Sequence, residues 1–121
     1  MSQTVLIVDT QRESRLYTRQ IISQLKPGWH FLEAASDTEA IDHCIRESID
    51  LVSIHQQEHR HLAHKLHVLL PHSLIIEWCD TPADVGHDQF NGLYYAAAPV
   101  NAATFTELLN QASSKRALFT P

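Results

Sequence analysis

The chain has 121 residues, 44% of them hydrophobic, and a formal net charge of −5. One domain with its own core is therefore expected, and wholesale disorder is excluded. The acidic balance gives no support to a general nucleic-acid or membrane-surface role, and two cysteines without a CxxC pair are too few for a disulfide framework or a zinc ribbon.

The opening MSQTVLIVD has neither a basic n-region nor a long apolar h-region, so it is not a signal peptide. No apolar run reaches transmembrane length, and a cytoplasmic domain is expected. Thr4 to Val8 (TVLIV) is a β-branched run that suits a strand buried on both faces, and it ends in Asp9. Residues 11 to 25 place Leu16, Ile21, Ile22 and Leu25 at helical spacing until Pro27-Gly28 stops the helix. A second strand is expected over 29–34. Ser36-Asp37-Thr38-Glu39 has the form of a capping box, opening a helix to about Glu47 that buries Ala40, Ile41, Cys44 and Ile45.

Asp50 to Ile54 is the third strand, followed by His55. A third helix is expected over 58–70, with Leu62, Leu66, Leu69 and Leu70 as its stripe and Pro71 as its stop. SLIIEW, 73–78, is strand four. Thr81-Pro82 has the form of an N-cap with proline at N1, which suggests a short helix over 82–89. Asn91-Gly92 is a turn and Leu93 to Ala97 is strand five. Asn101 caps a last helix, to about Arg116, that buries Phe105, Leu108 and Leu109. Five strands alternating with five helical segments give a doubly wound α/β sandwich around a parallel sheet. Ligands of such sheets bind outside the carboxyl ends of the strands, which directs attention to Asp9-Thr10, His55, Cys79 and Ala98.

VLIVDT, SDTEAIDHCIRESIDLVSIH and GLYYAAAPVN, in this order and spacing, resemble the opening strand, the second helix with the third strand, and the fifth strand with its Lys-Pro turn of one family. That family is the receiver (CheY-like) domain of two-component response regulators. The resemblance covers nearly the whole chain. It implies a flavodoxin-like, doubly wound five-stranded parallel sheet with helices on both faces, over residues 1–117, leaving 118–121 as a tail or as the start of a linker to an output domain. In the family, two acidic residues after strand one and an acceptor aspartate after strand three hold Mg²⁺ through oxygen ligands. The metal and a lysine after strand five neutralise phosphoryl charge.

On this resemblance Asp9 matches the first acidic residue, whereas Thr10 replaces the second. His55 stands at the acceptor aspartate, Cys79 matches the switch Ser/Thr, and Ala98 replaces the lysine. Tyr95 matches the switch aromatic. Acceptor, metal ligand and lysine are lost together, which implies a pseudo-receiver: fold kept, phosphorylation chemistry gone. The expected role is that of a phosphorylation-independent interaction or dimerisation module in a bacterial signalling protein, without enzymatic activity or cofactor. Its expected surface is the helix 4–strand 5–helix 5 face, or helix one, with Tyr94, Tyr95 and Phe105 as candidate anchors.

The alternative is a metal, pH or small-ligand sensor that reuses the degenerate pocket. His55 and His59 stand four apart and are weak metal candidates; His61, His64 and His67 stand three apart. HQQEH is not HExxH, and these histidines equally suit a solvated helix face. An imidazole at 55 is a competent nucleophile, but nothing visible in the sequence would stabilise a phosphoryl group on it. A histidine cluster titrates between about pH 5 and 8, which is what a pH sensor would use. Cys79 would be a redox thiol only if its pKa were lowered, and Cys44 belongs to the core stripe of helix two. Asp9 has capping of the first helix as its structural role, with Thr10 as the competing cap.

Overall fold

The computed structural model describes residues 3–55, 61–80, 86–87 and 92–115. In chain order the elements are β1 (Thr4–Val8), α1 (Arg12–Leu25), β2 (His30–Ala34), α2 (Asp37–Arg46), β3 (Leu51–His55) and α3 (Leu62–Leu69). β4 (Leu74–Cys79), β5 (Gly86–His87), β6 (Leu93–Ala97) and α4 (Ala102–Lys115) follow. The sheet order is β2-β1-β3-β4-β6-β5. The first five of these strands pair in parallel, whereas β5 pairs antiparallel with β6 through Gly86 and His87. The parallel sheet expected from the sequence is thus present. The helix expected over 82–89 falls largely outside the described residues, and its two described positions are strand.

Strand periodicity divides the core between the two faces of the sheet. Val5, Ile7, Leu51, Leu74, Ile76, Trp78, Tyr94 and Ala96 pack with Ile22 of α1 and with Phe105, Leu108, Leu109 and Ala112 of α4. The alternate residues, Leu6, Val8, Val52, Ile54, Ile75 and Leu93, pack with Ala40 and Cys44 of α2 and with Leu62, Ala63 and Leu66 of α3. Two polar residues interrupt the central strands. Glu77 is buried in β4, in register with Ile54 and Tyr95. Ser53 lies on the α1/α4 face, where its Oγ accepts the Trp78 indole N–H at 2.9 Å.

The helix caps account for where these elements begin. Ser36 Oγ accepts the Glu39 N–H at 3.2 Å, and Glu39 Oε1 accepts the Ala35 N–H at 2.8 Å, so α2 opens as its sequence indicates. Asn101 Oδ1 accepts the Thr104 N–H at 2.8 Å at the start of α4. α1 differs from expectation. Its N-cap is Gln11, which makes no side-chain cap, while Asp9 Oδ1 accepts the Gln11 N–H at 2.9 Å just ahead of the helix.

Three stripe residues are also corrected. Ile45 on α2 is 71% exposed, and Leu16 on α1 and Leu69 on α3 are exposed as well. Burial at the corresponding faces comes instead from Thr18 on α1 and Ala63 on α3, whose small side chains let the helix approach the sheet. The start of the third helix expected at 58 lies outside the described residues.

Ser53→Ala strands a buried indole donor, so urea unfolding should show a loss of about 1–3 kcal/mol. Ile45→Ala on the exposed side of α2 should stay within about 0.5 kcal/mol. Equal effects of the two substitutions would contradict this description of the core.

Candidate functional site

The carboxyl ends of β1, β3, β4 and β6 converge on a pocket of about 270 Å³. Its wall includes Asp9, Tyr17 and Thr18 from β1–α1, Ser53 and His55 from β3, Trp78 from β4 and Asp80 just after it. The turn Ala98-Pro99-Val100 closes the other side. The Ala98–Pro99 peptide bond is cis. The parallel register places His55 beside Trp78 and Trp78 beside Ala96, which brings the strand ends together although they are remote in sequence.

His55 stands between two carboxylates. Its Nε2 is 2.9 Å from Asp80 Oδ1, and its Nδ1 is 3.6 Å from Asp9 Oδ2. The Asp9 side chain is only 3% exposed and Asp80 is 45% exposed. Asp9 is further fixed by its bond to the Gln11 N–H and by its backbone carbonyl, which accepts from Arg15 Nη1 at 2.7 Å. Arg15 also meets Glu33 at 3.3 Å, and Arg19 meets the second oxygen of Glu33 at 2.8 Å, so both guanidinium groups are engaged at β2. Among the described residues no lysine or arginine lines the pocket.

Of the residues singled out from the sequence, Asp9, His55 and Ala98 meet in this pocket. Thr10 is exposed and does not line it. Cys79 is buried with its Sγ 3.6 Å from the Glu77 carbonyl, outside the pocket, because strand alternation sends Trp78 to the pocket face and Cys79 to the other. Asp80, Tyr17 and Trp78 were missed. The strand-end rule points one residue past Cys79 to Asp80, and the period-2 alternation of β4 points to Trp78.

The three aromatic candidates for a partner surface are also placed. Tyr94 and Phe105 are buried in the α1/α4 core, so neither offers an exposed anchor. Tyr95 is half-buried, with its hydroxyl 3.2 Å from His64 Nε2 of α3. Among the described residues the large exposed hydrophobics lie elsewhere: Leu16 and Tyr17 on α1, Ile45 on α2, Val68 and Leu69 on α3.

No group of three or more His, Cys, Asp or Glu side chains that could hold a metal ion occurs among the described residues. The weak metal candidate His59 lies outside them. An acceptor carboxylate and an oxygen-rich divalent-cation cradle are what acyl-phosphate chemistry requires. The end of β3 offers an imidazole instead, already held against the Asp80 carboxylate just past β4.

No protein-family model matches the chain, and no curated protein sequence does. Solved structures do match. A response regulator receiver domain (CheY-like) from Methylobacillus flagellatus has a TM-score of 0.76 and 19% identity, covering 93% of this chain and 99% of that one. The signal receiver domain of an HD domain-containing protein from Pseudomonas fluorescens Pf-5 has a TM-score of 0.75 and 20% identity, over 95% and 97%. A response regulator receiver domain protein from Clostridium thermocellum has a TM-score of 0.73 and 19% identity, over 98% and 99%. The fold is therefore the flavodoxin-like fold of receiver domains, and no helix among the described residues is long and apolar enough to cross a membrane.

Both cysteines are free thiols and both are buried. Burial pushes the Cys44 thiol up from 9.0 to about 11. The fold thus favours the neutral thiol, a contribution complete below 9.0 and lost as pH rises through about 11. Iodoacetamide at neutral pH should leave both thiols unlabelled in the native protein and label both in urea. Cys44→Ala should flatten the fall in stability on the alkaline side. Rapid native labelling of Cys79 would revive the redox reading.

Proposed function

We propose that this chain is a phosphorylation-independent, receiver-like domain of a bacterial signalling or regulatory protein. It acts in the cytoplasm as a non-enzymatic docking or dimerisation module. The observation that carries the reading is the occupant of the strand ends. His55 ends β3 with a ring nitrogen 2.9 Å from Asp80 and the other 3.6 Å from Asp9, and Ala98 stands on the opposite wall.

The chemistry follows from these groups. An acyl phosphate needs a carboxylate acceptor, and at the end of β3 there is none. Mg²⁺ takes oxygen ligands in near-octahedral geometry, which an imidazole between the two aspartates does not provide. A transferring phosphoryl group needs positive charge around its oxygens, and no lysine or arginine among the described residues lines the pocket. The similarity to receiver domains in solved structures supports a place in two-component signalling. One of those neighbours is the signal receiver domain of an HD domain-containing protein, which fits the reading of this chain as one domain of a signalling protein.

Exposed Leu16 and Tyr17 make α1 the better supported of the two docking faces weighed, since the aromatics near β6 and α4 are buried or turned to α3. Sedimentation velocity over a concentration series, with and without acetyl phosphate and Mg²⁺, tests this function. Self-association or partner binding should be the same in both series, and Leu16→Glu should weaken it. Association that appears only with the phosphodonor would refute it.

A further inference from the structure

The pocket between α1 and the turn after β6 has a chemistry that docking does not use. Its volume, about 270 Å³, lies just below the range that takes drug-sized ligands and suits a compact metabolite. The acidic groups on its wall are Asp9 and Asp80, and the basic group is His55, which already sits 2.9 Å from Asp80. Arg15, on the same helix as Tyr17 and Thr18, is held by the Asp9 carbonyl and Glu33 and is not part of the wall.

Asp9 is the group that needs explaining. Its Oδ1 accepts the Gln11 N–H, but among the described residues the nearest basic side-chain nitrogen to its Oδ2 is His55 Nδ1 at 3.6 Å, beyond good hydrogen-bond distance. A carboxylate this deeply buried is most stabilised by a charged donor at closer range. The pocket also has an aromatic side. The Trp78 indole N–H is committed to Ser53, so Trp78 offers carbon surface, and Tyr17 adds a second ring. Such rings attract cations and pack against flat apolar bodies.

We propose that this pocket binds a small organic cation: a primary or secondary ammonium group carried on an apolar, ring-sized body. The nitrogen would approach Asp9 Oδ2, with Asp80 adding negative potential, and the body would lie against Trp78 and Tyr17. Anions of the same size are rejected by the two carboxylates. The inference goes beyond the docking role and does not depend on it. Tyr17 belongs both to the pocket wall and to the exposed side of α1, so an occupant would touch a residue of the docking face.

Phenethylamine and hydrocinnamate share a phenyl ring and a two-carbon chain and differ in the sign of their charge. Each is titrated into the full chain while backbone amide chemical shifts are followed. Phenethylamine should give saturable shifts centred on Asp9, Tyr17, His55, Trp78, Asp80 and Ala98, and hydrocinnamate should bind at least about tenfold more weakly. Asp9→Asn keeps an oxygen for the Gln11 N–H but removes the charge, and should weaken phenethylamine about tenfold. Ala98→Leu, which adds bulk to the pocket wall without removing a charge, should weaken phenethylamine at least about tenfold in a protein whose amide spectrum remains dispersed. Should Asp9→Asn fail to fold, the Ala98→Leu comparison decides. Equal or tighter binding of hydrocinnamate, unchanged affinity in Asp9→Asn or Ala98→Leu, or no saturable shift at these residues would overturn the proposal.

Discussion

A strand covered by helices on both faces has no water along its length, so polar groups are tolerated only with partners or at its ends. β1, β3 and β4 are in that position, and the consequences are visible residue by residue. Ser53, on the buried α1/α4 face, accepts the indole N–H of Trp78 from the neighbouring strand. At the carboxyl ends exposure rises from buried Asp9 through His55 to half-exposed Asp80, and these three side chains meet there. The contact of His55 with Asp80 joins the end of β3 to the residue after β4, while Asp9 ties the end of β1 to the start of α1 through Gln11.

The division of labour between the two faces was largely legible in the sequence. TVLIV and LVSI are short runs with no polar alternation, which is what double-sided burial requires, and the capping residues Ser36 and Asn101 fix where α2 and α4 begin. What could not be read is how deeply each helix face is set. Ile45 has the spacing of a core residue on α2 but is exposed, because Ala40 and Cys44 already cover the sheet there. The segment before β6 was also obscure. Thr81-Pro82 suggests a helix over 82–89, and of that span only Gly86 and His87 are described; they extend the sheet in the antiparallel sense beside β6.

The candidate site was half legible. Position relative to strand ends identified Asp9, His55 and Ala98, but the partner that most constrains His55, Asp80, was passed over in favour of the adjacent cysteine. Alternation along β4 decides between such neighbours. Trp78 faces α1 and α4, so Cys79 turns to the opposite face, and Asp80 leaves the strand to return toward His55. Tyr94 and Phe105 are likewise buried on the β6–α4 side, whereas Leu16 and Tyr17 are exposed on α1.

The proposed function rests on a strand-end pocket where His55 lies between Asp9 and Asp80, in place of a phosphoacceptor carboxylate. Titration of Mg²⁺ with beryllofluoride, monitored by backbone amide chemical shifts, addresses it most directly, because the reagent mimics a phosphoryl group on an acceptor carboxylate. If the pocket takes no phosphoryl group, the amides of Asp9, His55, Asp80 and Ala98 stay where they are. Saturable shifts clustered on those residues would mean that the pocket still accepts a phosphoryl group, and would contradict the proposed function.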